Sequence, residues 1–169
     1  MNILIVIAHA DDEILGMGAT MMKHIVQKDN VFLHILTDAN GGVRGAGGVH
    51  GSIVTITGTA MIDQALDDMP LNYFTNNIAD RIADLNKQGF PIDIVYTHSE
   101  ADINKDHRYI GEATRIACRP YSNVTTHKVR ELRTFIIQTD FTSGNGFTPN
   151  FFNPVTSKHI DMAANVADN

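Results

Sequence analysis

A chain of 169 residues is long enough for one domain with a single core, and 43% hydrophobic with 19% charged residues is the composition of an ordinary globular protein. Its net charge is −6, from 13 Lys and Arg against 19 Asp and Glu, and no basic cluster occurs anywhere. Nucleic acid is therefore excluded as the main partner, because neutralising phosphates needs clustered cations.

Residues 2–8 read NILIVIA, apolar and largely β-branched from Ile3 onward, as expected of a strand buried on both faces in a parallel sheet. Ile14, Leu15, Gly18, Met22, Ile25 and Val26 then recur at helical spacing. Residues 31–37 predict a second strand. Residues 40–58 open with a glycine-rich stretch that lacks the GxGxxG and GK[ST] fingerprints, so a loop is expected there, followed by SIVTIT with strand character. Ile78, Ile82 and Leu85 mark another amphipathic helix, closed by Gly89 and Pro91. Residues 92–97 predict a strand, and Asp106 can cap a helix running to about Cys118. Residues 132–138 predict a further strand, and 157–166 a short helix after a loop-rich stretch. Alternating strands and helices imply a single domain over 1–169 with a three-layer, Rossmann-like α/β fold and a mostly parallel sheet. The lone Cys118 excludes an internal disulfide, no segment is long enough to span a bilayer, and the first apolar run lacks the flanks of a signal peptide. The chain is accordingly read as cytoplasmic.

Two clusters carry chemistry. His9, Asp11, Asp12 and Glu13 sit where the first strand ends and the first helix begins. In open α/β sheets, ligands bind outside the carboxyl ends of the strands. Helix N-termini favour acidic residues, which accounts for the three carboxylates but not for His9. A divalent cation would relieve their repulsion. The second cluster is His98, Asp102, Asn104, Asp106 and His107, again past a strand end and into a helix start. His107 alone reads as a surface helix residue. Together, one His and one Asp from the first loop with one His from the second would make a three-ligand site with an open position, the usual arrangement of catalytic zinc. His24, His34, His50, His127 and His159 have no motif context; His34 is read as a strand residue and the others as surface.

HADDE resembles the AHPDDE motif of the PIG-L/LmbE deacetylase family, and THSEADINKDHRYIGEATRIACRP resembles its second motif, which ends in Asp-His at a helix start. The resemblance implies a Rossmann-like fold, one zinc ion per chain held by His9, Asp12 and His107, and Asp11 as general base. It implies a hydrolase that removes an N-acetyl group from an N-acetylated, GlcNAc-type sugar or sugar conjugate, an amide hydrolysis. The substrate is then a small molecule or glycoconjugate, and homo-oligomerisation is left open. His98, Asn104 and Asp106 fall among the catalytic positions, and Arg44 and Asp102 at the substrate. Glu13 is read as a supporting or helix-start charge. The chain departs from the family in three ways. Ala10 replaces the usual Pro. Asn104 stands where some members carry a His that stabilises the oxyanion and delivers a proton. The domain is short, with a glycine-rich stretch in place of the helix after the second strand, so an open entrance is expected at residues 40–51. A metal-binding homologue with lost or altered catalysis is the competing expectation.

Overall fold

The computed structural model describes residues 1–37, 53–58, 65–119, 128–137 and 156–167. In chain order the elements are β1 (Asn2–Ile7), α1 (Asp12–Val26), β2 (Asn30–Ile35), β3 (Ile53–Gly58), a 3₁₀ turn (Leu66–Asp68), α2 (Leu71–Lys87), β4 (Ile94–His98), α3 (Lys105–Ala117), β5 (Glu131–Phe135) and α4 (Ser157–Ala167). The strands form one sheet in the order β3-β2-β1-β4-β5. Every neighbouring pair is parallel, with Ile3 opposite Val31 on one side and Ile94 on the other. The α/β reading is thus borne out, and among the described strands the sheet is parallel throughout.

The apolar runs of β1 and β2 are explained by burial on both faces. Leu4, Val6 and Phe32 face α2 and α3 through Phe74, Ile78, Ile82, Ile110 and Ala113. Ile3, Ile5, Ile7 and Leu33 face α1 and α4 through Met17, Met21, Met22 and Ala163. The second strand ends earlier than its apolar run: Leu36 and Thr37 leave the ladder yet still donate to the carbonyls of Ile7 and Ala8 at 3.0 Å.

β1 passes through α1 to β2 on one side of the sheet, and β4 passes through α3 to β5 on the other. Adjacent β1 and β4 are therefore the place where the winding reverses, and the loops leaving their carboxyl ends splay apart to leave a crevice. Both clusters singled out from the sequence lie on these two loops. α3 is seated close against β4: a Cβ at Gly111 would lie 2.5 Å from the backbone oxygen of His98.

Candidate metal centre and its surroundings

The first loop separates two adjacent carboxylates. Asp11 has φ 103° and ψ −22°, a left-handed conformation that is strained for any residue with a Cβ. Its carbonyl accepts the backbone N–H groups of Ile14 and Leu15 at 3.0 Å, and its own N–H donates to Glu13 Oε2 at 3.1 Å. The turn leaves Asp11 exposed and sends Asp12 inward, where it is 3% exposed. Asp12 Oδ2 accepts the backbone N–H of His9 at 2.8 Å.

The second loop is built from Asx turns. Asp102 Oδ1 accepts the Asn104 N–H at 3.0 Å, and Asn104 Oδ1 accepts the N–H groups of Asp106 and His107 at 2.9 and 3.4 Å. Asn104, not Asp106, therefore caps α3; an Asn just before the first helical residues meets the unpaired helix N–H groups head on. The Arg108 guanidinium donates to the carbonyls of Asp102 and Ile103 at 2.9 and 2.7 Å and holds the loop from outside.

The two loops bring His9, Asp12 and His107 together. His9 Nδ1 lies 3.4 Å from Asp12 Oδ2, His107 Nε2 lies 3.3 Å from Asp12 Oδ1, and the two nitrogens are 3.3 Å apart. Tetrahedral bonds of about 2.0–2.1 Å put neighbouring ligand atoms about 3.3–3.4 Å apart. The imidazole–imidazole edge matches that spacing, the carboxylate reaches one imidazole with each of its oxygens, and one donor atom from each of the three residues lies within 4.8 Å of the others; two imidazoles with one carboxylate are donors that suit a zinc-class ion. Each imidazole is turned by a carboxylate behind it: His9 Nε2 lies 3.1 Å from Asp106 Oδ2, and His107 Nδ1 lies 3.1 Å from Asp102 Oδ2. The second contact is an ion pair without hydrogen-bond alignment, since His107 Nδ1 has no hydrogen-bonded partner among the described residues.

His98, Asp102 and His107 form a second close group. It does not fit an ion. The rings of His98 and His107 are stacked at 4.0 Å and 8°, so their in-plane lone pairs run parallel and do not converge on one point.

Burial raises the Asp12 carboxyl, but contacts with His107, His9 and His98 outweigh it and hold the group far below the usual carboxylate range. Burial lowers His107, yet Asp102 and Asp12 overcome this and push it up to about 9. Burial pushes His98 down, against the attraction of Asp12.

The structure places several of the expected residues inside the loops, where their side chains already have partners. Asp102, expected at the substrate, is 1% exposed; besides its contact with His107, Oδ2 accepts the Ile137 N–H at 2.9 Å. Asp106, expected among the catalytic groups, is also 1% exposed and backs His9. Asn104 is the helix cap. His98, expected among the catalytic groups, is fully buried; its Nε2 accepts the Ala8 N–H at 3.0 Å and lies 3.2 Å from Asp12 Oδ2, so it ties β1 to β4. Arg44, the glycine-rich stretch, His50 and His127 lie outside the described residues. His24, read as surface, is 4% exposed and sits between Asp29 Oδ2 at 2.8 Å and the Tyr96 hydroxyl at 3.1 Å. His34 is a buried strand residue, as expected, bonded to Asn77 Oδ1 at 2.7 Å. Glu13 does more than add charge at a helix start, since it accepts the Asp11 N–H; no residue type or spacing in the sequence marks that bond.

Residues 4–52 match the family model described as PIG-L, GlcNAc-PI de-N-acetylase. No curated protein matches the chain. Among solved structures, a conserved protein of Thermus thermophilus superposes with a TM-score of 0.72 at 18% identity, over 98% of this chain and 78% of that one. N,N'-diacetylchitobiose deacetylase of Pyrococcus horikoshii gives 0.62 and 18%, over 98% and 67%. A zinc-inhibited form of teicoplanin deacetylase gives 0.66 and 13%, over 99% and 83%. The hydratase GalB, which acts on 4-carboxy-2-hydroxymuconate, shares the fold more distantly, at 0.50 and 16% over 76% and 61%, so fold alone does not name the reaction. The match at residues 4–52, which contains the first cluster, and the fold shared with solved deacetylases bear out the resemblance of this chain to the PIG-L/LmbE family.

Proposed function

We propose that this chain is a metal-dependent N-deacetylase that removes the acetyl group from a GlcNAc-type sugar or sugar conjugate. The observation that carries the reading is the meeting of His9, Asp12 and His107, whose ligand atoms make contacts of 3.3–3.4 Å, on loops one of which also carries the exposed Asp11. His9, Asp12 and His107 would hold one divalent ion, zinc by preference. When bound, such an ion supplies Lewis acidity, polarising the acetyl carbonyl and making water a stronger nucleophile.

The chain's own residues do the rest. Asp11 takes a proton from the attacking water as the C–O bond forms, then returns it to the amine as the C–N bond breaks. Acetate and a free amino sugar result, with one water consumed. Asp106 and Asp102 keep the two imidazoles turned toward the ion, as carboxylates behind metal-bound histidines do. His98 holds the two loops in register. Asn104, whose amide cannot transfer a proton, shapes the loop and leaves the proton traffic to Asp11.

Asn104 also favours a second reading, a metal-binding homologue whose chemistry has changed, because the position lacks the imidazole that some family members use. One experiment separates the two. Protein reconstituted with zinc is assayed for acetate release from N-acetylglucosamine and a panel of its glycosides and lipid conjugates, alongside Asp11→Asn. Acetate release by wild type, with Asp11→Asn reduced about 10²–10⁴-fold at unchanged metal content, supports the deacetylase. Stoichiometric zinc with no acetate from any member favours the altered homologue.

A further inference from the structure

We infer that Glu13 is a positioning residue that holds Asp11 in its strained turn. The inference rests on the deacetylase reading only in the part it gives to Asp11. Adjacent side chains project about 100° apart along a helix, so the exposed Asp11 and the buried Asp12 part ways without special geometry. What is unusual is the backbone of Asp11 itself, at φ 103°. No side-chain cap offsets the strain, since the Asp11 carboxylate makes no capping hydrogen bond to α1.

The strain is held from both ends of the residue. On the carbonyl side, the first N–H groups of α1, from Ile14 and Leu15, converge on the Asp11 oxygen at 3.0 Å. On the amide side the acceptor is a side chain, Glu13 Oε2 at 3.1 Å. Glu13 is 7% exposed. A buried carboxylate beside two others opposes ordinary helix-start design unless its oxygen has a task, because desolvation and like charge both work against it. Accepting the Asp11 N–H is that task. The helix contacts persist wherever α1 persists, whereas the amide-side contact comes from a side chain and is lost when that side chain is removed. Loss of the Glu13 oxygen frees the Asp11 peptide to swing into the right-handed region, continuing the helix backward and carrying the carboxylate away from the crevice, while Asp12, bonded to the His9 N–H at 2.8 Å, keeps its place.

The test compares Glu13→Ala, which removes the acceptor, with Glu13→Gln, which keeps an acceptor oxygen of nearly the same reach. Cobalt(II) loaded in place of zinc reports the donor triangle through its visible spectrum, and amide exchange of ¹⁵N-labelled protein reports the Asp11 N–H. Both variants are expected to bind one cobalt with the wild-type spectrum. In Glu13→Ala the Asp11 amide exchanges at least tenfold faster, and in Glu13→Gln it stays within threefold of wild type. On a substrate from the acetate assay, Glu13→Ala lowers kcat at least tenfold with KM within twofold, and Glu13→Gln recovers most of it. An unchanged Asp11 amide in Glu13→Ala overturns the inference whatever the activity. Equal loss of kcat in both variants also overturns it, since charge and not the acceptor would then matter. If Asp11→Asn is fully active, the part given to Asp11 fails, while the exchange result still decides whether Glu13 holds the turn.

Discussion

Gly111→Ala tests whether the donor triangle depends on the close seating of α3. Its Cβ would lie 2.5 Å from the His98 oxygen and 3.3 Å from the His98 carbonyl carbon, both backbone atoms of a buried strand. A carbon and a carbonyl oxygen approach to about 3.3 Å at closest, so the helix must withdraw by about 0.8 Å. His107 lies one turn earlier on the same face of α3 and moves with it, widening the 3.3 Å separation from His9 to roughly 4 Å, past what tetrahedral zinc tolerates. Two terms oppose each other in stability. Alanine gains about 1 kcal/mol over glycine in a helix interior, and overpacking costs about 1–3 kcal/mol. Net destabilisation of the metal-free protein is therefore small, within about 2 kcal/mol, whereas zinc affinity falls tenfold or more. Urea unfolding of the metal-free variant and competition titration against a zinc chelator measure the two separately. Wild-type zinc affinity combined with the full helix-propensity gain would show that the contact yields without moving His107, and the reasoning would be wrong.

Asp106→Asn should lower zinc affinity about 10–100-fold by loosening His9, with helix content unchanged; chelator competition and circular dichroism check this. Asp11→Gly should abolish acetate release yet stabilise the protein by about 1 kcal/mol, because glycine adopts φ 103° without strain; a lower urea midpoint would deny that the turn is strained. Metal-free protein should also lose stability as pH falls below the ordinary imidazole value of 6.5, through His24. Burial lowers its folded value and Asp29 only partly offsets this, so between the folded value and 6.5 the unfolded chain binds more protons; above 6.5 the contribution is complete. Urea midpoints at pH 7.5 and 5.5 should differ less in His24→Gln than in wild type.

Order along the chain was legible because hydrophobic period and punctuation are local. The run of residues 2–8, apolar from Ile3 onward, suits a strand covered on both sides, and β1 proves to be the middle strand with helices on both faces. Element ends were less legible. The run at 31–37 stays apolar past Ile35 because Leu36 is buried against the α2–α3 side after leaving the ladder, so burial outlasts pairing. The α3 start was misread by two residues because both Asn104 and Asp106 are good cap residues, and only the direction of the side chain decides between them.

At the site, what could be read depended on how far away each partner lay. His9, Asp12 and His107 announce themselves by residue type at two strand ends, and the open α/β architecture brings such ends together. Asp102, Asp106 and His98 carry the same residue types, and nothing local says that they face inward. Asp106 meets His9 across 97 residues, Asp102 meets Ile137 across 35, and His98 meets Ala8 across 90. His24 illustrates the same limit away from the site: its partner Asp29 is five residues off, but Tyr96 is 72 away, and the side chain is buried. Local chemistry therefore identifies groups able to hold a charge. Where a carboxylate ends up is decided by long-range packing, and here packing sets Asp102 against His107 and Asp106 against His9 and leaves Asp11, on its strained turn, as the exposed residue of the first cluster.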